Sequence, residues 1–81
     1  MDTPGYPISD EEYEKINNNF QYHTPKDGQP EKYEALRRQA RELALNIHLW
    51  CPPSRERSIA ITELETAIFW ANASIARNEK G

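Results

Sequence analysis

The chain has 81 residues with 13 acidic and 10 basic side chains, a net charge of −3, one cysteine and 37% hydrophobic residues. One cysteine excludes an internal disulfide framework, and a pI near 5.3 argues against a nucleic-acid polymer as partner, because counterion release needs many phosphate contacts. A single domain of this size buries little surface per residue, so a lone core is marginal and association, first of all with copies of itself, is expected.

No signal peptide, lipidation motif or long apolar run is present, which predicts a reducing cytoplasm and no membrane contact. Cys51 is then expected as a buried thiol at a helix end. The charge is uneven: residues 1–34 hold eight acids and three lysines, net −5, and residues 35–81 hold five acids and seven basic groups, net +2. A small anion held by a few arginines is therefore compatible with the acidic total.

In chain order, residues 1–8, with Pro4, Gly5 and Pro7, read as an irregular arm. Ser9 followed three residues later by Glu12 fits a capping box, and predicts a short helix over residues 9–18 with acids in its first turn. The run Asn17-Asn18-Asn19 is expected to end it, because asparagine competes with the backbone for hydrogen bonds. Residues 19–29, with Pro25 and Asp27-Gly28, read as a loop.

A long helix follows over residues 30–50, where Tyr33, Leu36, Ala40, Leu43, Ile47 and Trp50 fall on one stripe. Pro30 suits its first turn, and Cys51-Pro52-Pro53 ends it. Ser54 is an N-cap for a second long helix over residues 54–78, whose stripe is Ile61, Leu64, Ile68, Ala71, Ile75 and Asn78. Two matched seams joined by a Pro-Pro turn make an antiparallel hairpin. The expected fold is all-α: one domain, a hairpin of two long helices preceded by a short one. Leu45, Leu49, Ile59, Phe69 and Trp70 lie off the seams, and this surplus apolar surface predicts a homo-oligomer.

Catalysis has no visible apparatus. His23 and His48 lack metal-ligand spacing, and there is no Gly-rich phosphate loop, nucleophile elbow or acid/base pair. Arg37 and Arg41 share a helix face and could together hold a phosphate or carboxylate; with Arg38 they could equally be a solvated face, paired weakly to Glu34 and Glu42. Tyr22 offers a flat ring on which a base could stack, or it packs inward, Phe20 and Tyr22 alternating so that one plugs the hairpin. His23 either meets a ligand or bonds a backbone carbonyl. Arg77 sits in a last turn, where the helix dipole favours it; copies brought together in an oligomer would call for an anion.

The segments FQYHTP, YEALRRQARELALNI and CPPSRERSIAITELETAIFWANASIARNE closely resemble the hairpin domain shared by phage anti-CBASS and anti-Thoeris sponge proteins. The resemblance implies a protein that sequesters cyclic oligonucleotide messengers without cutting them, so that the bacterial effector stays inactive in the cytoplasm of the infected host. It implies no cofactor and a hexamer with ligand sites between protomers. Tyr22 would stack on a base of a cyclic dinucleotide such as cGAMP, and Arg37, with Arg41, His23, Thr24 or Lys26 nearby, would hold the phosphates. A second pocket, for cyclic trinucleotides, would draw on Arg77, Gln39 and Asn78. The anti-Thoeris branch binds cyclic ADP-ribose isomers and carries an additional region; this minimal hairpin is more similar to the anti-CBASS branch. A helical protein that docks on a host or phage partner through Phe69 and Trp70 is the alternative.

Overall fold

Helix α1 spans Asp10–Asn19, α2 Gln29–Trp50 and α3 Arg55–Asn78 in a computed structural model that describes residues 5–79. The described residues form no strand, and α2 and α3 pack as the antiparallel hairpin. Residues 5–8 of the expected arm have no regular structure, while residues 1–4 lie outside the described residues.

The capping box forms: Ser9 Oγ accepts from Glu12 N–H at 3.1 Å, and Glu12 Oε1 accepts from Ser9 N–H at 3.2 Å. The Ser9 hydroxyl, then its backbone N–H, hold the Glu12 carboxyl below its ordinary value. Helix α1 runs one residue beyond the expected end. The Asn18 side chain donates across to Arg77 O at 3.2 Å rather than competing with its own backbone, and the Phe20 N–H closes the last turn on Ile16 O at 3.1 Å.

Helix α2 also begins one residue early, at Gln29, because Gly28 takes φ 84° and turns the chain into it. Only glycine adopts that left-handed conformation without strain. Ser54 caps α3 as expected: its Oγ accepts from Arg57 N–H at 3.1 Å and donates to Pro52 O at 3.0 Å. The Arg57 guanidinium then donates to His48 O at 3.2 Å and Cys51 O at 3.3 Å, capping carbonyls that the end of α2 leaves free. Ser54→Ala is expected to cost about 1 kcal/mol, read as a fall in Tm of about 4–8 °C for a domain of this size.

The inter-helix groove is lined by Ala40 and Ala44 from α2 and by Ile61, Leu64 and Ile68 from α3. Leu43 and Trp50, expected on the α2 stripe, are exposed instead. A straight helix drifts about 20° per heptad against a 3.5-residue repeat, so its line of contact moves off such a stripe. Cys51, expected to be buried, is exposed, since nothing covers the chain where the helices part at the Pro-Pro turn. Phe20 and Tyr22 are both exposed, so neither ring plugs the hairpin.

What the hairpin lacks is an interior. Among the described residues no apolar side chain is buried. The chain exposes 7256 Å², whereas a compact monomer of its mass exposes about 5,000 Å². Its radius of gyration is 18.1 Å, against about 12 Å for a compact domain of its length.

Candidate functional site

The site is built from three chain segments that meet at the open end of the hairpin. Tyr33 and Arg37, one turn apart on α2, form one wall. Asn72, Ala73, Ala76 and Arg77 of α3 form the facing wall, and the loop after α1, with Tyr22 and His23, closes the third side. The cleft has a volume of about 440 Å³, and no carboxylate is among its lining residues. In an acidic chain this gathers two guanidinium groups without a neutralising partner inside the space they share.

Side-chain direction explains why these residues meet. Tyr33 lies as many residues before Pro52 as Asn72 lies after Pro53, so the hairpin sets them at one level. Helical side chains lean toward their own N-terminus. Arg37 therefore leans toward the Tyr33 level and Arg77 toward the Ala73 level, which are the same level. Alanine at 73 and 76 leaves the floor of the cleft open, where larger residues would fill it.

The polar groups are held as follows. His23 Nε2 lies 2.8 Å from Asn18 O; since a carbonyl can only accept, Nε2 carries the proton and donates. This is the carbonyl-bonded histidine considered above, and it fixes the loop beside Tyr22. Arg77 donates to Asn19 O at 3.3 Å. Arg37 pairs with Glu34 at 2.7 Å, one helical turn back, with both side chains exposed; Glu34 thus meets Arg37 and not Arg38. Exposed pairs of this kind are worth ~0–1 kcal/mol, so an anion can displace the carboxylate at little cost. Tyr22 is 81% exposed, so most of its ring is left open by its own chain. Among the described residues, Asn72 Oδ1 is enclosed without a hydrogen-bond partner, leaving the cleft wall with an unmet acceptor.

Of the residues singled out in the sequence, Tyr22, His23 and Arg37 come together, and Arg77 joins them rather than a separate pocket. Thr24 is exposed and lines neither cavity, and the Lys26 ammonium turns away to Glu79 O at 3.1 Å. Arg41 lines a different groove of about 250 Å³, which Arg37 also borders, with Ala40, Ile61, Leu64, Glu65 and Phe69. That groove is apolar and carries Glu65 beside its arginines, so it suits side chains of another protein better than a phosphodiester. Gln39 and Asn78 are exposed and line neither cavity. Sequence reasoning missed Tyr33 and Asn72; the i, i+4 relations of Tyr33 to Arg37 and of Ala73 to Arg77 were the available signal.

No group of His, Cys, Asp and Glu among the described residues could hold a metal ion, and no helix there is long and apolar enough to cross a membrane. A family model described as Acb2/Tad1, hairpin domain, matches residues 12–76. The chain belongs to this family. Acb2/Tad1 proteins are sponge-type binding proteins, phage anti-defence factors that take up cyclic oligonucleotides, and the all-helical hairpin seen here is consistent with that domain. No curated protein and no solved structure matches the chain. The cleft where an exposed ring and two guanidinium groups converge lies within the matched Acb2/Tad1 hairpin domain except for Arg77, which directly follows the matched residues.

Proposed function

We propose that this chain sequesters cyclic dinucleotides of the cGAMP type in the cleft walled by Tyr22, Arg37 and Arg77, and so starves the effector of CBASS defence in the cytoplasm of the infected host. The observation that carries the reading is the convergence of one uncovered aromatic ring and two guanidinium groups on a cleft free of carboxylates. A base stacks on Tyr22, a contact worth ~1–3 kcal/mol where it is used. Arg37 and Arg77 take the phosphate oxygens in charge-assisted hydrogen bonds.

The proposed assembly is a homo-oligomer, a hexamer, and each site is completed by a second copy. The uncovered face of Tyr22, the surface in excess of a compact monomer and the apolar groove beside Phe69 support it. Gln39 and Asn78, both on outer surfaces, belong in this reading to a second pocket, for cyclic trinucleotides, formed where several copies meet.

The reading is tested by titrating the protein with cyclic GMP–AMP, cyclic di-AMP, cyclic tri-AMP and a cyclic ADP-ribose isomer in a calorimeter, then denaturing it and weighing what is released. Tight uptake and return of an intact cyclic dinucleotide is expected; a linear product, or no uptake of any of the four, overturns the reading. Ala73→Phe locates the site. Filling the cleft floor while keeping every charged group is expected to reduce affinity at least about fivefold, since overpacking a shaped site costs ~1–3 kcal/mol.

A further inference from the structure

The loop that carries Tyr22 and His23 is fastened at both ends to one place, the C-terminal end of α3 and its cap residue Glu79. At its start, Asn18 Nδ2 donates to Arg77 O at 3.2 Å, Arg77 donates back to Asn19 O at 3.3 Å, and His23 closes onto Asn18 O at 2.8 Å. At its far end the fastening is Gln29. The Gln29 Oε1 accepts from Lys26 N–H at 2.9 Å, while its Nε2 donates to Glu79 Oε1 at 3.0 Å and, more weakly, to Ile75 O at 3.4 Å. Lys26 Nζ donates to Glu79 O at 3.1 Å, and Lys32 forms an ion pair with the other Glu79 oxygen.

Gln29 is 2% exposed and is the only buried residue among those described. That choice needs a reason. A buried amide costs free energy unless its hydrogen bonds are made, and a leucine in the same place would bury more apolar area. What the amide adds is geometry: it ties the end of the loop to a carbonyl of α3 and to the carboxylate of Glu79, the residue that caps it, at once. Neither Gln29 nor Glu79 lines the cleft, so neither is placed to touch a ligand in it.

Building on the sponge function proposed above, we propose that Gln29 and Glu79 are positioning residues, which hold the Tyr22–His23 loop in its ligand-ready shape from outside the cleft. A loop that must be ordered at the moment of binding subtracts its ordering cost from affinity. Equivalently, the apparent Kd rises as the inverse of the fraction of molecules whose loop is already in place. The two fastenings raise that fraction. Glu79 is suited to the task because its carboxyl is held below its ordinary value, first by the hydrogen bond from Lys32 and next by that from Gln29; it stays an acceptor at neutral pH.

The experiment compares the full chain with Gln29→Met, Glu79→Ala and Glu79→Gln by calorimetric titration with cyclic di-AMP and cyclic GMP–AMP, alongside amide hydrogen exchange of the loop. Gln29→Met and Glu79→Ala are expected to weaken binding about tenfold, as for a loop in place one-tenth of the time, with loop amides exchanging faster than those of α2 and α3. Glu79→Gln keeps an oxygen for Gln29 and is expected to bind within about twofold of the parent, the retention that separates positioning from general loosening. Unchanged affinity and unchanged loop exchange in both disruptive variants, with the parent binding normally, overturn the assignment. So does a loss of affinity accompanied by equal loosening of every helix. A parent that binds neither dinucleotide nor cyclic tri-AMP overturns the sponge function instead; loop exchange then still shows whether the fastening exists. Should Gln29→Met not fold, Glu79→Ala, beyond the last helical residue, decides alone.

Discussion

Arg37→Ala and Arg77→Ala are each expected to weaken binding of a cyclic dinucleotide about tenfold to hundredfold, the equivalent of ~1.5–3 kcal/mol for hydrogen bonds to a charged group. The two differ in kind. Arg37 is exposed, its other partner being Glu34, so its removal leaves the hairpin intact and takes away only the contact to phosphate. Arg77 also holds Asn19 O, so its loss frees the start of the ring-bearing loop as well. Arg77→Ala is therefore expected to have the larger effect and to raise exchange of the loop amides, whereas Arg37→Ala leaves them unchanged. Arg37→Lys keeps the charge without the planar fork and is expected to recover only part of the affinity. Calorimetry at two salt concentrations checks the electrostatic part, because contacts to phosphate weaken as salt screens them. Parent-like affinity in both alanine variants would remove the cationic cleft from the account.

The helices were legible because their ends carry local chemistry. Ser9 with Glu12, Ser54, and Pro52-Pro53 act within a turn of where they stand, and each end they mark lies within a residue of the observed one. The seams were less legible. Leu43 and Trp50 match a 3.5-residue repeat, but which side chains touch depends on how far the helix has rotated by that point, a property of the pair and not of one helix. Gln29 was invisible for a stronger reason. Its neighbours Asp27, Gly28 and Pro30 mark a turn, and its burial comes entirely from the return of α3 some fifty residues later. In the sequence Arg77 reads as a last-turn charge, and the resemblance implies a second pocket for it; within one chain it lines the cleft with Tyr22 and Arg37. Counting from the Pro-Pro turn sets Arg77 opposite Gly28, just before α2 begins, and its lean toward its own N-terminus carries the side chain toward Tyr33. Tyr22 and Arg37 stand out by their own chemistry, an open ring and a guanidinium, and the family resemblance adds His23 and gives each a role; all three line one cleft.

The largest expected effect on the molecule as a whole comes from Phe69→Glu. Phe69 and Trp70 are 71% and 65% exposed, and Phe69 also lines the apolar groove between the long helices. A hairpin with no buried apolar side chain among its described residues has little to set against the entropy of ordering its chain. In the assembly proposed here that deficit is met by other copies, with Phe69 at the contact. An aromatic anchor at the centre of an interface is worth ~2–4 kcal/mol, so one buried glutamate is expected to raise the dissociation constant of each contact at least about thirtyfold. Native mass spectrometry over a dilution series is expected to show the parent as one closed oligomer and Phe69→Glu as smaller species at the same concentration. Glutamate is a good helix former, so the variant is expected to keep its helical circular dichroism at low temperature while its Tm becomes strongly dependent on concentration. Phe69→Leu, which keeps the face apolar, is expected to remain assembled. Binding reads out the same chain of causes. Phe69 lies outside the ring-lined cleft, yet a site completed by a second copy must lose affinity when the copies part, and a site complete within one chain would not. Parent-like assembly of Phe69→Glu would place the contact between copies on another face.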